Sequence, residues 1–133
     1  MYNITNHPST GWSEAQRAAA LELTGSPVID IRFPNVSPNA TSKEVEEMAW
    51  EVLKDVPRDA SVLIQGEASL SFALIMVAFV KRCRVYSTTT ERVVVERAEG
   101  DTVVKTAVFQ FVQFRDLLAC GSHAMNCIIQ EGL

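Results

Sequence analysis

Residues 61–92 read SVLIQGEASLSFALIMVAFVKRCRVYSTTTER, and this stretch decides the fold. Residues 61–65 hold a compact β-prone run, Val62-Leu63-Ile64, stopped by Gly66. Residues 69–82 then read as a helix that is apolar almost all round, through Leu70, Phe72, Leu74, Ile75, Met76, Val77, Phe79 and Val80. A helix without a polar face is buried on more than one side. In a small domain that means a central position or a dimer interface. Residues 84–87 are β-prone again. Strand, helix and strand in this order predict a parallel pair joined by a right-handed crossover.

The same alternation runs upstream. Residues 2–5 form a short β-prone run, and Ser13-Glu14-Ala15-Gln16 has capping-box spacing for a helix that Gly25 stops. Residues 27–31 read as a second strand around Val28, Ile29 and Ile31. Thr41-Ser42-Lys43-Glu44 opens another helix, with Val45, Met48, Ala49, Val52 and Leu53 at helical spacing. Downstream the pattern changes. Residues 93–96 and 103–114 flank Glu99-Gly100-Asp101 and read as an antiparallel hairpin, either a sheet edge or a projecting arm. The fold class expected is α/β: a small Rossmann-like domain, mostly parallel, with helices on both faces and a C-terminal hairpin. It spans residues 1–119, followed by a tail over 120–133. That tail reads as a short helix, a docking arm or a segment foreign to the fold.

Composition sets outer bounds. A chain of 133 residues, 47% hydrophobic and 21% charged, suits one packed domain. No apolar stretch reaches the roughly 20 residues of a membrane span, and the N-terminus lacks a signal-peptide pattern. A cytoplasmic protein without a membrane partner is the expectation. Net charge is -4, which argues against a long duplex-binding surface but not against one small nucleotide. The three cysteines, Cys83, Cys120 and Cys127, lack metal-type spacing and read as reduced thiols.

Four polar clusters sit just after the expected strands: residues 6–10, 32–35, 65–67 and 88–92. In an open parallel sheet the carboxyl ends of the strands share one edge, where ligands bind. Hydroxyls, amides, an imidazole and guanidiniums there suit an anionic, hydroxyl-rich ligand such as a nucleotide. His7 could transfer a proton or bond a ribose, or be merely solvated. Ser9 and Thr10 could hold phosphate oxygens or fix a turn. Trp12 could stack on a base or pack under the first helix. Helix starts after residues 6–12 and 65–68 favour phosphate, and Gly66 would let backbone approach it. Glu67 could serve as a general base only with a raised pKa, or could pair with Arg32 or Arg92. Arg92 could stabilise phosphate charge or simply be exposed.

Several motifs are absent: a Walker-type phosphate loop, a dinucleotide fingerprint, a paired Cys/His zinc set and a hydrolase elbow. No metal and no cofactor is expected. Only Glu67 and Asp30 are placed as a metal-dependent nuclease would need.

Asn6-His7-Pro8-Ser9, Gln65-Gly66-Glu67 and Thr88-Thr89-Thr90-Glu91-Arg92 together resemble the small CRISPR-associated ring nucleases, single-domain relatives of the CARF sensors. The likeness covers roughly residues 1–92. It implies a homodimer that binds a cyclic oligoadenylate, chiefly the four-adenosine ring, and cuts it to silence type III CRISPR signalling. The chemistry implied is attack of a ribose 2′-hydroxyl on its own phosphate, without metal. Carried onto this chain, His7, Glu67 and Arg92 are the catalytic candidates. Asn6, Ser9, Thr10, Trp12, Arg32, Asn35, Gln65, Gly66, Ser69, Thr88, Thr89 and Thr90 are the ligand-binding candidates. A non-catalytic nucleotide sensor, or another nucleotide enzyme on the same architecture, remains the competing expectation.

Overall fold

The computed structural model describes residues 1–132. Its strands are β1 (Tyr2–Thr5), β2 (Ile29–Asp30), β3 (Ser61–Gln65), β4 (Arg84–Glu99) and β5 (Thr102–Asp116). Its helices are α1 (Glu14–Thr24), α2 (Ser42–Leu53), α3 (Ala68–Val80), α4 (Leu117–Cys120) and α5 (Ser122–Glu131). One five-stranded sheet runs in the order β2-β1-β3-β4-β5. The first four strands are parallel, and β5 is antiparallel to β4. The chain is therefore an α/β protein with a mostly parallel sheet.

Local chemistry sets the helix ends. Ser13 Oγ accepts the Gln16 N–H at 3.1 Å, and Thr41 Oγ1 accepts the Glu44 N–H at 3.2 Å. Each bond satisfies a donor that the first turn leaves orphaned. Gly25 ends α1 in the left-handed region at φ 65°, where a side chain would be strained.

Alternation along the strands divides the core. Ile4, Val62, Ile64 and Val85 face Val45, Ala49 and Leu53 of α2 and Leu70, Leu74 and Val77 of α3. Leu63 faces the other way, onto Met1, Trp12 and Ala20 of α1, with Tyr86 and Phe114 beside it. Helices thus cover both faces, with α1 on one and α2 and α3 on the other. Each large apolar side chain removed from water contributes about 1.5–3 kcal/mol.

Two expectations are corrected. β2 is only two residues long, although Ile31 N still bonds Asn3 O at 2.8 Å; it is an exposed edge strand next to Pro27, which has no N–H to give. The cluster over residues 88–92 is not a strand-end loop. It lies inside β4, which runs unbroken from Arg84 to Glu99 and pairs with β5 from Tyr86 to Glu99. Thr88, Thr89 and Thr90 are β-branched, and no glycine, proline or asparagine interrupts them. The hairpin is accordingly a long ribbon, turned at Gly100 (φ 60°) and kinked by a bulge between Thr89 and Thr90.

α3 is buried along one side only. Phe72 is 67% exposed, and Met76, Phe79 and Val80 are also exposed. With Trp50 of α2, the Phe72, Met76 and Val80 side chains border an apolar groove of about 850 Å³ between the two helices. The tail contains α5, which has no buried residue. No described helix is long and apolar enough to cross a membrane.

Candidate functional site

The sheet order places a topological switch between β1 and β3. From β1 the chain moves outward to β2, and it returns on the other side as β3. Helices leaving the two strands diverge to opposite faces, which opens a crevice at the strand ends. Thr5 and Gln65 are register partners beside it. Asn3 pairs with Asp30 and with Leu63, which points toward α1. Strand alternation therefore sets Asn3, Thr5, Asp30 and Gln65 on the α1 face, gathered toward one end of the sheet.

Asn3 organises this end. It is 1% exposed, yet every polar atom of its side chain is engaged. Its amide donates to Asp30 Oδ1 at 2.8 Å and to the His7 carbonyl at 2.9 Å, while its Oδ1 accepts from the Thr5 hydroxyl at 2.9 Å. Thr5 Oγ1 also accepts the His7 N–H at 3.0 Å, and Trp12 Nε1 donates to the His7 carbonyl at 3.1 Å. The backbone of His7 is thus pinned while its ring stands exposed at the crevice rim.

Asp30 occupies the donors that the sequence reading reserves for phosphate. Its carboxylate accepts the Ser9 N–H at 3.1 Å and the Ser9 hydroxyl at 2.9 Å. Burial alone would raise its pKa; the hydrogen bonds from Asn3 and Ser9 outweigh that and lower it. Ser9 opens a single 3₁₀ turn, Ser9–Gly11, with Thr10 exposed in its middle. Arg17 reaches the Ser9 carbonyl at 3.5 Å.

Glu67 repeats the arrangement on the other side of the crevice. It is the N-cap of α3: its carboxylate accepts the Leu70 N–H at 2.8 Å, the Ser69 hydroxyl at 2.7 Å and the Ser69 N–H at 3.1 Å. These bonds, led by that from Leu70, lower its pKa. A general base needs the opposite shift. Among the described residues Glu67 makes no ion pair with Arg32 or Arg92. The start of α3 is therefore filled by the protein's own carboxylate, that of α1 is capped by the Ser13 hydroxyl, and the Ser9 donors ahead of α1 are taken by Asp30.

Gly66 has a packing role. A Cβ there would lie 2.5 Å from the Phe33 ring, so the loop after β2 crosses to β3 and seals this side of the crevice. Trp12 is buried and packs near Phe114, with ring centroids 6.1 Å apart, which leaves no open face for a base. Asn6, Arg32, Asn35 and Gln65 are exposed at the strand ends. Arg92 stands apart from them. Continuing the Leu63–Tyr86 register brings Thr88 level with Gln65, and Arg92 lies four residues further, opposite Phe109. That is about 13 Å along the ribbon.

The structure thus joins the ends of β1, β2 and β3, with Thr88 beside them, and leaves Thr90 and Arg92 on the ribbon. Sequence reasoning missed Asn3, Thr5 and Phe33. The signal was present in Tyr2-Asn3-Ile4-Thr5, where two polar residues share one face of a strand otherwise built for the core. No group of three or more His, Cys, Asp or Glu residues that could hold a metal occurs among the described residues.

A family model, that of the uncharacterized protein MJ1673 family, matches residues 1–115. The chain belongs to this family. The MJ1673-family match runs from β1 to Arg115, one residue short of the end of β5, and so contains the whole crevice and nearly the whole ribbon. α4 and α5 lie outside it. No curated protein and no solved structure matches the chain.

Proposed function

We propose that this Rossmann-like domain is a ring nuclease of the kind its strand-end residues resemble. It would bind a cyclic oligoadenylate, chiefly the four-adenosine ring, and cut it without metal to end type III CRISPR signalling. The observation that carries the reading is the switch point between β1 and β3, where three strand ends gather amide, hydroxyl, carboxylate and imidazole groups. Carboxylates at such a crevice suit ribose hydroxyls, which donate to them. Phosphate then falls to the exposed guanidinium of Arg32 at the strand ends, which can bond it in bidentate fashion.

In this reading the ribose 2′-hydroxyl attacks the adjacent phosphorus in line, the 5′-oxygen leaves, and a 2′,3′-cyclic phosphate end forms. His7, with its backbone fixed and its ring free, takes or returns the proton. Most of the acceleration comes from holding the three reacting atoms in line. The test is incubation with cyclic tetra-adenylate in EDTA at enzyme excess, followed by mass spectrometry. A linear product with a 2′,3′-cyclic phosphate supports the reading; an intact ring overturns cleavage.

A second reading has its own support. The lowered pKa of Glu67 and the hydrogen bonds that Asp30 already accepts from Ser9 leave no acid–base pair of carboxylates at the strand ends among the described residues. That favours a sensor that binds the ring and does not turn it over. Tight binding by calorimetry with no product separates the two.

A further inference from the structure

The chain carries more surface than a single folded copy of its mass should. A compact monomer of 14.7 kDa exposes about 6,900 Å². This chain exposes 9081 Å². The excess, about 2,200 Å², falls within the roughly 1,000–2,500 Å² that each partner buries in an obligate homodimer.

Much of the apolar surface left uncovered beyond the globular body lies on the β4–β5 ribbon. Past Thr90 nearly all of it is exposed, including Val94, Val95, Val103, Val108 and Phe109, the last at 69%. A two-stranded ribbon is marginal in water by itself. β5 is also the sheet edge, and its stretch over residues 106–114 contains no charge and no proline. Natural edge strands are guarded by such residues, because an open row of N–H and C=O groups pairs with whatever strand approaches.

We infer that the ribbon is an interface for a second copy of this chain, with the edge of β5 pairing antiparallel to β5 of that copy. A two-fold contact brings one patch against itself, so the patch must complement its own charges. The ribbon presents little net charge to a second copy: Glu91, Glu96, Glu99 and Asp101 stand against Arg92, Arg97 and Lys105, with Arg97–Glu99 and Lys105–Glu96 paired within it. The same near balance disfavours nucleic acid as the occupant. The inference stands whether or not the crevice binds a cyclic nucleotide, since it draws on area, edge and charge alone.

Sedimentation equilibrium of the full chain across micromolar concentrations tests it. The expected mass is twice that of one chain. The double variant V108K/F109K sets like charges beside the two-fold; it should sediment as a monomer with an unchanged far-UV spectrum. Hydrogen exchange of the unaltered protein supplies a second readout that does not depend on a variant folding: outward-facing amides in residues 106–114 should be protected. A single-chain mass at 100 µM or above (about that concentration suffices for any obligate dimer) overturns the inference. So does a dimer whose residues 106–114 exchange freely.

Discussion

Asn3 and Asp30 are joined by a 2.8 Å hydrogen bond between two parallel strands, and this bond ties the turn that carries His7 to the sheet. The amide is buried while the carboxylate reaches outward to Ser9. A polar group in the core thereby sets the position of a group at the rim.

Replacing Asn3 by leucine removes the bonds to Asp30, His7 and Thr5. The expected cost is about 1–3 kcal/mol in urea unfolding, the range for leaving buried partners unsatisfied. Asn3→Asp should cost more at neutral pH, because it opposes two carboxylates, and the gap between the two variants should narrow as acid protonates them. Equal stabilities of the two variants at pH 7 would contradict the arrangement.

Asp30 and Glu67 both have folded pKa values below their ordinary values of 3.8 and 4.5. Their contribution is therefore complete above those ordinary values and is lost as pH falls through the lowered ones. Thermal melts from pH 7 to pH 2.5 should show a falling acid limb (about where carboxylates protonate). The double variant D30N/E67Q should flatten it. An unchanged acid limb would mean that neither carboxylate is held as described.

Gly66→Ala should destabilise by about 1–3 kcal/mol, the usual cost of forcing extra volume into a packed contact. Phe33→Leu in the same chain should recover part of that loss, because the two residues share one space. Strictly additive effects in the double-mutant cycle would show that the ring is not what excludes the methyl group.

Glu67→Asp, Glu67→Ser and Glu67→Ala separate a helix cap from a catalytic base. A cap function predicts that aspartate and serine keep most of the melting temperature and most of any ring cleavage, while alanine lowers the melting temperature by a few degrees. Loss of turnover in all three with melting unchanged would assign Glu67 to the chemistry instead.

His7→Ala removes an exposed ring whose backbone is already held by Thr5, Asn3 and Trp12. Stability should move by no more than about 0.5 kcal/mol. Cleavage of cyclic tetra-adenylate should fall about 100-fold or more if the ring transfers the proton. Wild-type turnover in this variant would remove His7 from the mechanism.

Much of this molecule was legible in the sequence. Ser13, Thr41 and Gly25 announce helix ends because capping is a matter of a few adjacent residues. Ser61–Gln65 and Tyr2–Thr5 are readable as strands because their runs are short, β-branched and bounded by turn residues. The β–α alternation then leaves little choice but a parallel sheet. What local pattern could not show was the partner of each polar group. Asp30 and Ser9 are 21 residues apart, and only pairing of β1 with β2 brings a carboxylate onto the Ser9 donors where a phosphate was expected. Glu67 read as a general base or as a partner of Arg32 or Arg92, yet the turn into α3 folds its carboxylate back onto Ser69 and Leu70. Residues 88–92 looked like a loop by their polarity, and pairing with β5 made them the middle of a strand. Sequence by itself determined the helix starts and the core strands β1 and β3, because their signals are local and steric. The tertiary structure alone decided which charges stay available, because a hydrogen bond belongs to two groups and the chain brings them together only when it folds.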